Sequence, residues 1–215
     1  MIPRARLYLA GAGLLVSALG CSAWLPDLVE QHQFRAPAPL RKLAVAPFEA
    51  SPRPSNRALG SGVEVSEAAV LVSRFVTEAL EARGLEVIPP HDLQVAFEAD
   101  GREMPLQSPM ALAGLAHEEF GAQAILLGVL RRWRARQGSA YGSVAPASLE
   151  FEVTLYSAPG AEKLWTARFD QTQSSLTENP LTSARYPSGG ARFLTTAELA
   201  RWGASLVAAE LPVGH

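Results

Sequence analysis

The chain has 215 residues, 48% hydrophobic and 19% charged, enough apolar material for one domain with a real core. Its formal net charge is -2, which sets aside a general nucleic-acid binder, because phosphate contacts need a surplus of Lys and Arg. The single cysteine, Cys21, excludes an internal disulfide and leaves packing as the source of stability.

The amino-terminal stretch carries a location signal. Arg4 and Arg6 precede an uncharged apolar run, Leu7 to Leu19, and small Gly20 then stands immediately before Cys21. That order is a secretory signal peptide over residues 1–20, and the run is shorter than the roughly 20 apolar residues a membrane span needs. Ala18-Leu19-Gly20-Cys21 resembles the lipobox of bacterial lipoproteins, with Ala18 where Leu is commoner. The resemblance implies that Cys21 is the lipidated amino terminus, its sulfur carrying a diacylglycerol and its amine an acyl chain such as palmitate. Ser22, rather than Asp, follows it, which in the enterobacterial sorting pattern implies the periplasmic face of the outer membrane.

Residues 21–41 contain Pro26, Pro37 and Pro39 with no sustained period, so they read as a flexible tether. Lys42–Phe48 is a short apolar run suited to a buried first strand. Residues 49–65, with Pro52, Pro54, Gly60 and Gly62, read as a loop; Gly60-Ser61-Gly62 lies in no phosphate-binding pattern. Ser66–Arg83 repeats Ala68, Leu71, Val72, Phe75, Val76, Ala79 and Leu80 at helical spacing, with Ser66 as cap and Gly84 as stop. Leu85–Ile88 follows as a strand halted by Pro89 and Pro90, making a parallel β-α-β unit.

Two further helices are predicted, over Asp92–Ala99 and from the Ser108-Pro109 start signal to Phe120, closed by Gly121. Ala124–Trp133 is the most apolar strand and therefore the central one. Leu149–Tyr156 alternates strictly and, across a turn at 157–160, Glu162–Gln173 returns with Trp165, Ala167 and Phe169 on one face. One face of this hairpin is dry and the other wet. Residues 171–192 read as a long polar loop. Thr195-Thr196-Ala197-Glu198 is a capping box that opens a last helix burying Leu199, Trp202, Leu206 and Val207 and ending at Pro212. The expectation is a single α/β (α+β) domain over 42–212: a mixed sheet of about five strands flanked by about four helices, in the order β-α-β-α-α-β-β-β-α.

KLAVAPF, the helix ending ALEARGLEVI, the helix ending EEFGAQAILLG and the return strand EKLWTARF resemble the α/β domain shared by the amino-terminal part of TolB, the LpoB-type activators and the CsgG-type secretion lipoproteins. The resemblance covers residues 41–173 and implies a domain that binds proteins or builds export assemblies, with no catalytic residues to transfer.

Catalytic and metal patterns are sparse. His32, His91, His117 and His215 are dispersed without a second ligand at metal spacing, so no metal site and no cofactor are expected. Glu118-Glu119 and Glu150/Glu152 are adjacent carboxylates on expected solvated faces, and no serine lies in GxSxG or SxxK. The sharpest local signal is Arg131-Arg132-Trp133-Arg134-Ala135-Arg136. Strand alternation sends Arg132, Arg134 and Arg136 one way and Arg131 and Trp133 the other. Arginine forks beside tryptophan make these five a candidate partner-binding site, and the competing reading pairs them with Glu150 and Glu152 on the neighbouring strand.

The functional expectation is a non-catalytic, lipid-anchored envelope module that binds an envelope protein or its own copies. An alternative is a CsgG-like export component, although neither residues 135–148 nor 171–192 supply the alternating strands of about 9–11 residues a membrane barrel needs. An envelope hydrolase is the third class.

Overall fold

The computed structural model describes residues 27–35, 39–51, 62–99, 101, 108–174 and 180–213. The signal peptide expected over residues 1–20 and Cys21 lie outside the described residues. In chain order the strands are β1 (Val29–Gln33), β2 (Lys42–Val45), β3 (Glu49–Ala50), β4 (Glu86–Ile88), β5 (Ala124–Arg134), β6 (Gln137–Gly138), β7 (Ser143–Ala145), β8 (Ser148–Ser157) and β9 (Lys163–Thr172). The helices are α1 (Gly62–Glu81), α2 (Pro90–Ala99), α3 (Pro109–Phe120), α4 (Pro180–Ser183) and α5 (Thr196–Glu210).

Strand β5 is central, as its apolar composition predicts. The main sheet is seven-stranded, in the order β1-β9-β8-β5-β2-β4, with β3 pairing β5, while β6 and β7 form a separate hairpin. β2 pairs in parallel with β4 and with β5, and β8, β9 and β1 continue the sheet antiparallel. The five expected strands and four expected helices are all present. β1 and β3 are additions, and β1 corrects the tether expected over 21–41: Val29–Gln33 is an ordered strand. Its sequence VEQHQ has one buried residue in five, so no apolar alternation marks it. β9 supplies the hydrogen-bonding row that orders it.

Helix ends follow local chemistry. Ser108 Oγ accepts from the Ala111 N–H at 3.4 Å, and Gly121 closes α3 in the left-handed region at φ 65°. α1 begins at Gly62, before the Ser66 expected to cap it, and buries Ala68, Val72, Phe75, Val76 and Leu80. Among the described residues no helix is long and apolar enough to cross a membrane.

The two faces of the sheet are covered unequally. α1 and α5 pack on one face over Val45, Leu126, Phe151, Trp165 and Phe169. α2 and α3 pack on the other face over Ala44 and Ile125, with Leu93, Phe97 and Leu112 inward. On that second face α3 reaches the end of β8 near Tyr156, no helix is seen over β9 and β1 among the described residues, and the charged side chains Glu150, Arg168, Asp170 and Glu30 stand there. The loop expected over 171–192 is partly built: α4 and a 3-10 turn at Pro187–Gly190 lie in it, and Tyr186 is buried against Trp202 with ring centroids 4.8 Å apart. Burial raises the Tyr186 hydroxyl to about 12, against the pull of Arg185. Buried Gln173 pins the loop by donating to Arg192 O at 2.8 Å and accepting from Leu194 N at 2.7 Å.

The predicted capping box is formed, with Thr195 Oγ1 accepting from the Glu198 N–H and Glu198 accepting from the Thr195 N–H at 2.8 Å. Hydrogen bonds from Arg192, then from the Thr195 backbone, hold the Glu198 carboxyl down to about 2. The folded state therefore binds this proton less tightly than the unfolded chain, so the contribution is full above the ordinary 4.5 and is lost as pH falls toward 2. The urea midpoint of Glu198→Gln is expected below wild type at pH 6, with the gap closing as pH falls through 4 toward 3 (all approximate). A gap independent of pH would contradict the assignment.

Candidate functional site

Beyond Leu130, β5 runs out of the core into the arginine segment, and its register with β8 shifts there from Leu130↔Phe151 to Arg132↔Glu150. Arg131 is the extra residue of a β-bulge, and a bulge interrupts the two-residue alternation. This corrects the orientation expected from the sequence. Arg131 and Arg132 both turn toward the carboxylates of β8, while Trp133 pairs with Leu149 and packs against the core.

An ionic lattice across four strands results. Arg131 reaches Glu152 with Nη2 at 2.6 Å and Nε at 3.1 Å. Arg132 donates to Glu150 at 3.1 Å, to Ser148 Oγ at 2.7 Å and to Asp170. Arg168 on β9 donates to Asp170 at 2.7 Å, contacts Glu150 at 3.0 Å and reaches Glu30 on β1 at 3.6 Å. Glu150 lies at the centre, its side chain 13% exposed and shared by two guanidinium groups. Burial pulls the Arg168 pKa down, but the attraction of Glu150 and Asp170 outweighs it and the net shift is upward. The pairing with Glu150 and Glu152 weighed from the sequence is thus formed. Missed in the sequence was the contribution of β9 and β1, whose Arg168, Asp170 and Glu30 are scattered along the chain until pairing aligns them.

Arg134 and Arg136 stand apart and have no carboxylate partner among the described residues. Arg134 Nε is buried without a hydrogen-bond partner, and Arg136 donates to Phe193 O at 2.5 Å. The β6–β7 hairpin beyond them holds the two most exposed large apolar side chains of the described residues, Tyr141 at 83% and Val144 at 88%. Phe193 N–H donates to Ala140 O at 2.7 Å and fixes the hairpin to the α5 approach.

A cleft of about 190 Å³ opens where α3 begins, lined by Pro47, Pro109, Val129, Glu152, Thr154 and Tyr156. Burial, then the charge of Glu152, raises the Tyr156 pKa, so its hydroxyl remains a donor. Glu152 itself is engaged by Arg131. Glu118 and Glu119 are exposed at the end of α3. His117 Nδ1 lies 3.1 Å from Ala122 O, His32 stacks edge-on against Phe34, and His215 lies outside the described residues. Among the described residues no three His, Cys, Asp or Glu side chains converge as metal ligands.

The remaining feature is the outer side of β1, an edge strand of the sheet that pairs with no second strand among the described residues. Beside it lies a groove of about 580 Å³ lined by Asp27, Leu28, Gln31, Arg185, Leu206 and Glu210. Gln31 spans its wall, donating to Glu210 at 2.6 Å and accepting from the Trp165 indole at 3.0 Å.

No family model and no curated protein sequence matches the chain. Among solved structures, a PelC dodecamer from Paraburkholderia phytofirmans is similar at 16% identity, covering 83% of this chain and 92% of that one, with a TM-score of 0.46. Lipoprotein GNA1162 from Neisseria meningitidis is similar at 19% identity over 67% of this chain and 94% of that one, TM-score 0.39. The LpoB C-terminal domain from Salmonella enterica is similar at 15% identity over 64% of this chain and 85% of that one, TM-score 0.37. An LpoB-type domain, named above from strand and helix rhythm, is thus among the structures this chain resembles, whereas a CsgG-like assembly gains no support.

Proposed function

We infer that this protein is a lipid-anchored, non-catalytic module of the bacterial envelope, held at the periplasmic face of the outer membrane and working by binding an envelope protein or its own copies. The observation that carries the reading is the lipobox-like Ala18–Cys21, followed eight residues after Cys21 by the first strand of a folded domain. Acyl chains contribute about 0.8 kcal/mol per buried methylene, so more than one chain holds a protein at a membrane where a single chain does not. Fully extended, the chain from Cys21 to Val29 spans at most about 29 Å, so the sheet stays close to the bilayer. The partner contact read from Arg131, Arg132, Trp133, Arg134 and Arg136 divides in two. Arg131 and Arg132 bind the chain's own carboxylates, leaving Arg134 and Arg136 at the hairpin root as the proposed contact for an acidic partner.

Palmitate labelling and membrane fractionation of the full-length protein test the anchor. Label and membrane recovery are expected for wild type and lost for Cys21→Ser. Crosslinking in cells, with mass spectrometry of captured proteins, then tests the binding. One envelope protein recovered with wild type and lost with Cys21→Ser supports the tethered module. Label in neither protein removes the anchor.

A further inference from the structure

We propose that the open edge of β1 pairs with β1 of a second copy of this chain, antiparallel about a two-fold axis through Gln31, joining two sheets into one. This deepens the self-association half of the reading above and rests on the strand edge rather than on the lipid.

The backbone shows which residues are available. β1 and β9 are antiparallel in the register Val29↔Phe169 to Gln33↔Trp165, and the next residue of that register, Phe34, donates its N–H to Leu164 O at 2.9 Å. Hydrogen-bonded positions alternate in an antiparallel ladder, so Glu30, His32 and Phe34 turn their backbone groups toward β9. Val29, Gln31 and Gln33 turn theirs outward, and no described residue pairs with that row. Edges are commonly blunted by Pro, Lys or a bulge, and β1 has none of these between Val29 and Gln33.

A two-fold pairing must set outward backbone against outward backbone, which leaves axes through Glu30, Gln31 or His32. An axis at Glu30 places that carboxylate against its own copy. An axis at His32 stacks imidazole on imidazole and sets Glu30 against Phe34. With the axis at Gln31 the segment Leu28–Phe34 is self-complementary. Glu30 meets His32 of the second copy twice over, and even a neutral imidazole donates one N–H to a carboxylate. Leu28, half-buried, meets Phe34, which the isolated chain leaves 51% exposed. These are the close, non-hydrogen-bonded pairs of the new ladder, where side-chain contact is greatest. The outward row supplies about six backbone hydrogen bonds across the axis.

Single-cysteine crosslinking reads the register. In the full-length protein oxidised in cells, Gln31→Cys is expected to give a disulfide-linked dimer at least ~10-fold above Glu30→Cys or His32→Cys alone, since the paired Cα atoms stand about 5.5 Å apart, within disulfide reach. The unsubstituted chain reports any dimer formed through Cys21. Because Gln31 also bonds Trp165 and Glu210, a second arm leaves it untouched: differently tagged Glu30→Cys and His32→Cys copies, expressed together, should form a mixed dimer that neither forms alone. A mixed dimer supports the pairing by itself. Absence of both dimers overturns it, and so does a Glu30→Cys or His32→Cys homodimer equal to that of Gln31→Cys. The palmitate label on Cys21 is read separately, so failure of the anchor and failure of the pairing are distinguishable.

Discussion

Trp165→Ala is expected to lower the unfolding free energy by about 3–5 kcal/mol, read as a fall in the urea midpoint at unchanged slope. Trp165 is fully buried on the face of β9 that α5 covers and sits opposite Leu155 of β8. Truncation removes the largest fully buried side chain among the described residues and leaves a cavity that the neighbouring strands cannot close, because their backbones are held in register on both sides. It also removes the indole N–H that Gln31 accepts, loosening β1 from the sheet. The same variant should therefore be cut faster by protease near 29–33 under native conditions, an effect that Leu155→Ala, with no bond to β1, should show less. A loss under about 1 kcal/mol would place Trp165 outside the core.

Gly128→Val is the second large effect. Any Cβ at position 128 would overlap the ring of Phe48, which comes from the link between β2 and β3 and packs against Gly128 of β5, with Phe151 at a centroid distance of 6.5 Å. The ring is buried in the core, so a shift would have to displace packed neighbours. Overpacking of this kind costs about 1–3 kcal/mol, and the branched valine is expected at or above the upper end, with Gly128→Ala milder and of the same sign. Coupling to the ring supplies the check. Phe48→Leu should recover part of the loss when combined with Gly128→Ala, so the double variant is more stable than the sum of the single effects predicts. Strict additivity would mean that Phe48 is not what fills the space over Gly128.

Much of the fold was legible because hydrophobic burial imposes periods on the chain. Helix α1 was readable from Ala68 to Leu80, β8 from its strict alternation, and α5 from the capping box at Thr195 and Glu198, since each pattern is set by residues that are neighbours in sequence. β1 escaped because its order comes from β9, more than 130 residues away, and VEQHQ carries no local apolar pattern. The arginine segment was found, but its orientation was not. Alternation holds only in an unbroken ladder, and the bulge at Arg131 is a property of the pairing with β8.

By itself, then, the sequence determined an α/β chain with a central apolar β5, two helices that stop at Gly84 and Gly121, and a lipobox-like segment ending at Cys21, because these depend on local composition and spacing. The tertiary structure alone decided that Arg131, Arg132 and Arg168 interlock with Glu150, Glu152, Asp170 and Glu30 on the polar face of the sheet, and that β1 pairs with β9 and with no second strand among the described residues. Both depend on which strands become neighbours, and strand neighbours are chosen by long-range packing of the two apolar faces, for which no single segment carries the information.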